Sequence, residues 1–111
     1  MTSDAGRRSL EPARVRVELP AHLRTLAGAP REVAIVVSGP VTQAAILDGV
    51  EAAYPMLLGT LRDHGSQVRR PFIRFFGCGD DLSHISPQEE LPRAIADGEE
   101  PFLIIGAIAG G

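Results

Sequence analysis

Val15-Arg16-Val17-Glu18-Leu19 alternates apolar and charged side chains, the period of a half-buried strand, and Pro20 ends it. Leu23, Leu26 and the turn signal Ala27-Gly28-Ala29-Pro30 follow as a connection. Arg31 to Val37 predicts a second strand, closed by Ser38-Gly39-Pro40. So short a separation makes the two strands an antiparallel pair. From Val41 the period changes. Ile46, Val50, Ala53, Tyr54 and Leu57 recur three and four residues apart, which predicts an amphipathic helix. Gly49 weakens that helix by about 1 kcal/mol relative to alanine. Pro55 disfavours helical geometry at Tyr54 and stops or bends the helix there.

Phe72 to Phe76 predicts a third strand, and Gly77-Cys78-Gly79-Asp80-Asp81 a polar turn. Leu82 to Ile95 contains Pro87 and Pro92 and reads as an irregular loop, with at most a short strand or turn of helix. Asp97-Gly98 is a tight turn. Phe102 to Ile105 is continuously apolar, as expected of a strand central in its sheet. The order strand, strand, helix, strand, loop, strand implies a two-layer α+β domain. Its fold class is the β-grasp: a mixed sheet of four or five strands, one main helix on one face, and the last strand beside the first. Val17, Ile35, Val50, Leu57, Ile73, Phe75, Leu103 and Ile105 are the expected core. Residues 1–12 are polar and aperiodic and read as a disordered tail. Residues 13–105 form the domain, and residues 106–111 a flexible functional tail.

That tail is the most informative segment. The apolar run passes directly into Gly106-Ala107-Ile108-Ala109-Gly110-Gly111. Two terminal glycines arise by chance in about one chain in 200. Extended, the tail reaches about 20 Å. Glycine lets a backbone approach walls that any Cβ would strike. The geometry suits a Gly111 carboxylate that enters another protein's active site, with Gly110 beside it and Gly106, Ala107, Ile108 and Ala109 contacting the partner. A frayed end is the plainer alternative; the strand leading straight into the tail weighs against it.

The chain has 111 residues, 44% hydrophobic and 23% charged, which allows one domain with a modest core. No apolar run approaches the roughly 18 residues of a membrane span. The N-terminal residues have no apolar stretch behind them, so no signal peptide is read there. A single cysteine, Cys78, fits a reducing cytosol, and the expected location is cytoplasmic. The net charge of −3 gives no reason to expect nucleic acid as a partner. All eleven basic residues are arginine, so no side-chain amine is available for isopeptide bonds.

Cys78, flanked by glycines, is the rival site. It has no histidine nearby in sequence and reads as an incidental thiol rather than a relay. His22, His64 and His84 sit at unrelated spacings, which argues against a metal. Asp80, Asp81, Glu89, Glu90, Glu99 and Glu100 make the C-terminal half acidic; most read as solvated surface, and some as steering groups for a basic partner rim.

Four segments carry a resemblance: Leu19 to Gly28, Ile46 to Pro55 with its aromatic-proline stop, Val68 to Arg74, and Ala94 to Glu99 followed by Ile105 to Gly111. Together they resemble the ubiquitin-like sulfur-carrier family, which includes the small subunit of molybdopterin synthase, the thiamine sulfur carrier and a carrier for cysteine synthesis. Three departures stand out. Gly77-Cys78-Gly79 occupies the place of an Asn-Gly hairpin. The Leu82–Leu91 connection is longer. Gly106 replaces a common proline, which implies a looser tail.

The resemblance implies a co-substrate rather than an enzyme, or the small subunit of a sulfur-transferring synthase. It implies no stably bound cofactor. An E1-like adenylyltransferase would use ATP and Mg²⁺ in trans to activate Gly111. A sulfur donor, either sulfide or a persulfide such as a rhodanese carries, would convert the adenylate to a thiocarboxylate. An acceptor enzyme, such as a synthase large subunit, would receive the sulfur; neither nucleic acid nor membrane is an expected partner. A protein modifier conjugated through Gly111 and an interaction module without tail chemistry are the alternatives. The acceptor pathway stays open between molybdopterin, thiamine, cysteine and a secondary metabolite.

Overall fold

A strand becomes half-buried when its alternate side chains find one core, and the first two strands do this in register. The computed structural model describes residues 12–106. β1 (Ala13–Glu18) pairs antiparallel with β2 (Glu32–Val37), setting Val15 opposite Ile35 and Val17 opposite Val33. All four of these residues are buried. The intervening polar positions face the other way, and Arg16 reaches Glu32 through two hydrogen bonds of 3.0 and 3.1 Å. That pairing offsets the like charges of Glu18 and Glu32, which sit directly opposite each other.

The stretch between them is not a plain connection. Ala21–Ala27 forms a short helix, α1, that starts after Pro20 and ends at Gly28 in the left-handed region. Its single buried residue, Leu23, enters the core. Seven residues with one fully buried side chain give too little periodicity to be read as a helix from sequence.

The main helix, α2 (Gln43–Ala53), lies where the three- and four-residue spacing places it. Thr42 caps it, its hydroxyl accepting from the Ala45 N–H at 3.1 Å. Ile46, Leu47 and Val50 are buried against the sheet. Gly49 has a packing reason: a Cβ there would strike the Ile35 side chain, so glycine lets the helix approach β2. The helix ends at Tyr54, and Pro55–Leu57 continues as one 3₁₀ turn.

β3 (Ile73–Gly77) turns back into β4 (Asp80–Asp81) through Cys78-Gly79. Both turn residues have positive φ, 52° and 80°. This is a two-residue type I′ hairpin, with cysteine at a position that favours asparagine or glycine. The loop after it contains one short helix, α3 (Arg93–Ala96), whose Ile95 is buried. Gly98, at φ 80°, makes the expected turn.

β5 (Phe102–Gly106) lies in the centre of a five-stranded sheet ordered β2-β1-β5-β3-β4. It runs parallel to β1 and antiparallel to β3. This is the β-grasp, a ubiquitin-like fold. One part of the expected core is corrected. Phe102 and Ile104 are buried, whereas Leu103 is half-buried and Ile105 is 45% exposed. Among the described residues the helices cover one face, so alternate residues of a central strand still meet opposite environments. The rings of Phe75 and Phe102, with centroids 5.3 Å apart, anchor the middle of the core.

Candidate functional site

The root of the tail is set by where β1 stops. The β1–β5 ladder matches Val17 with Phe102 and Glu18 with Leu103, and β1 ends there. β3 continues alongside β5, matching Arg74 with Ile105 and Ile73 with Gly106. Gly106 is therefore held by a strand on the β3 side after β1 has left. α1 follows β1 after two residues and brings His22 to this place. A Cβ on Gly106 would strike His22 Cε1 and lie 3.3 Å from both Nδ1 and Nε2.

Of the tail residues singled out by sequence, Gly106 is the one the structure describes. Ala107, Ile108, Ala109, Gly110 and Gly111 lie outside the described residues. His22 was legible only as an isolated histidine, and no sequence signal connects it to Gly106, 84 positions away by their numbers.

The face of the sheet opposite the described helices leads to the same root. Ile105 is exposed, with Leu103 and Phe76 half-buried behind it. Phe72, just before β3, is 60% exposed. Charged pairs border this apolar centre: Arg16–Glu32 at 3.0 Å, Arg31–Glu18 at 3.6 Å and Arg74–Asp81 at 3.3 Å. Arg16 also donates to the carbonyls of Gly98 and Glu99, at 3.1 and 3.2 Å. The Arg16 bond holds the Glu32 carboxyl below its usual range.

Cys78 is exposed at the β3–β4 turn. Desolvation, with the charges of Glu100 and Asp80, pushes its thiol above the usual value. Thiolate is the reactive form, so this environment works against a nucleophilic role. Among the described residues, no group of three histidine, cysteine or acidic side chains is placed to hold a metal ion. No helix among them is long and apolar enough to cross a membrane.

No protein-family model matches the chain. Solved structures do. SAMP1 from Haloferax volcanii superposes with a TM-score of 0.69 at 21% identity, over 88% of this chain and 99% of that one. CysO of Mycobacterium tuberculosis gives 0.65 at 26% identity, over 85% and 99%. A chain of the Amycolatopsis orientalis BexX/CysO complex gives 0.64 at 26% identity, over 87% and 99%. The chain thus has the ubiquitin-like β-grasp fold, and its structural neighbours are ubiquitin-like modifier and sulfur-carrier proteins, consistent with the resemblance in its sequence.

Proposed function

We propose that the protein is a sulfur carrier that works through the carboxylate of Gly111. The observation that carries this reading is the hand-over from a central strand to a side-chain-poor segment. β5, paired on both sides at its start, runs to Gly106, and Ala-Ile-Ala-Gly-Gly follows. The similarity to CysO structures at 26% identity supports the same reading.

The chemistry follows from the weakness of a carboxylate as an electrophile. At neutral pH it is ionised, repels nucleophiles and has no good leaving group. Joining it to AMP, with loss of pyrophosphate from ATP, supplies one. Sulfide then attacks the acyl carbon, AMP leaves, and a thiocarboxylate remains. A persulfide donor instead gives an acyl disulfide, which a thiol cleaves to the same product. The activating enzyme supplies ATP and Mg²⁺, and this chain supplies the reacting end. The open sheet face, with Ile105 central and ion pairs at its border, is the surface on which that enzyme and the acceptor dock.

The modifier reading differs only in the last step, where an amine takes the place of sulfur. It draws on the likeness to SAMP1, whose 21% identity speaks for the fold. The test is ATP–pyrophosphate exchange by a cognate activating enzyme. Exchange should depend on this protein and disappear when Gly111 is deleted or one residue is added after it. Undiminished exchange by the extended variant contradicts the proposal.

A further inference from the structure

We propose that His22 is a positioning residue for the tail. Its imidazole occupies the space left by the missing side chain of Gly106 and fixes how the chain leaves the sheet. The inference rests on the carrier reading for its functional meaning, and three observations carry it.

The first is that the backbone at Gly106 does not call for glycine. Five glycines of the described chain have positive φ, namely Gly28, Gly39, Gly59, Gly79 and Gly98, and Gly106 is not among them. It lies in a regular antiparallel ladder opposite Ile73. What glycine supplies here is room, because a Cβ would strike the edge of the His22 ring.

The second is the direction of that ring. Cε1 is the atom nearest the absent Cβ, and both nitrogens lie at an equal 3.3 Å from it. The imidazole meets Gly106 edge-on, between its two nitrogens, rather than grazing it.

The third is the rigidity of the platform. His22 sits beside Leu23, which is buried in the core. The first turn of α1 is closed by the N–H groups of Leu23 and Arg24, both donating to the Pro20 carbonyl at 3.0 Å. Gly106 shares the parity of the buried Phe102 and Ile104, so the His22 ring meets it on the helix side of the sheet. Gly106 then has β3 as ladder partner and His22 over its Cα.

A tail that must enter a narrow site is productive only in part of its range of directions, and restricting that range raises the fraction of productive encounters. The restraint acts on the bound tail, whereas the sheet face governs docking. Loss of the contact should therefore lower kcat for adenylation and leave KM nearly unchanged.

The test is a cycle of four full-length proteins: wild type, His22→Ala, Gly106→Ala and the double variant. An alanine at 106 meets the free end of an exposed side chain, so it should displace the ring rather than unfold the protein. Each single variant should lose roughly five- to tenfold in kcat. The double variant should lose no more, because both substitutions remove one contact. His22→Phe, which keeps a ring over Gly106, should restore most of the rate. In parallel, amide ¹⁵N relaxation should show greater motion at Ala107 and Ile108 in His22→Ala than in wild type.

An active wild type with unchanged kcat in His22→Ala overturns the proposal, as do losses that add in the double variant. Unchanged relaxation overturns it even if no variant is adenylated. A wild type that an active enzyme does not adenylate counts against the carrier reading, and the relaxation data still decide the restraint.

Discussion

Arg62 closes back onto Glu51 through two hydrogen bonds, Nε to Oε2 at 3.1 Å and an Nη to Oε1 at 2.8 Å, with both side chains at least nine-tenths buried. The same guanidinium reaches the exposed Asp48 at 2.6 Å. Burial alone would weaken the Arg62 charge; the bonds to Glu51 and Asp48 outweigh it and hold the group more firmly protonated. The planar fork is what allows one side chain to tie the helix to the segment after its 3₁₀ turn.

Arg62→Ala leaves the Glu51 carboxylate buried without its cation and should cost about 3–5 kcal/mol. Asp48→Asn removes a solvent-exposed partner and should cost less than about 1 kcal/mol. Urea titration of the two variants checks the contrast.

The two faces of β5 give a second contrast. Phe102→Ala empties the core beside Phe75 and should cost about 3–5 kcal/mol. Ile105→Ala, on the exposed face, should change stability by only about 0.5 kcal/mol. Its effect should appear instead as a raised KM for the activating enzyme.

These residues mark how far the sequence could be read. Val15 and Val17 alternate with charged neighbours, so the buried face of β1 was legible. In Phe102-Leu103-Ile104-Ile105 every position is apolar, and nothing local says which parity faces the helices. By propensity alone Gly49 is a weak point in its helix; its packing role depends on Ile35, a residue of another element. Cys78-Gly79 is legible as a turn, but the two-residue strand after it is too short to carry a pattern. Arg62–Glu51 and His22–Gly106 join residues distant in sequence, and topology brings them together. The C-terminal glycines were legible as a candidate site and lie beyond the described residues.

Acid should destabilise the protein through carboxylates that are better bonded when folded. Asp63 is held below its usual range by the Ser66 N–H, which donates to it at 2.7 Å. Bonds from Ser83 do the same for Asp81, with help from Arg74. A lowered folded-state pKa means that the unfolded chain binds more protons in that window. Stability is then full above the unfolded-state value and is lost as pH falls through the folded-state one. Thermal midpoints should drop across the acid range, and Asp63→Asn should flatten part of that slope.

Cys78→Ser should leave sulfur transfer intact, since desolvation and the negative charges of Glu100 and Asp80 raise the thiol pKa and disfavour the thiolate. Loss of thiocarboxylate in a folded serine variant would make Cys78 a relay. Cys78→Asn should stabilise the hairpin by about 0.5–1 kcal/mol, because asparagine tolerates the left-handed backbone at φ 52°. Thermal unfolding of both variants separates the turn from the chemistry.

The decisive measurement is the intact mass of the protein after incubation with a cognate activating enzyme, ATP, Mg²⁺ and a sulfur donor. The mass should rise by the difference between sulfur and oxygen, and fragmentation should place the change on the peptide ending in Gly111. An unchanged mass with an activating enzyme proven active on another carrier would contradict the sulfur-carrier proposal. So would the appearance of Gly111 in amide linkage to lysines of other proteins, which would establish the modifier chemistry instead.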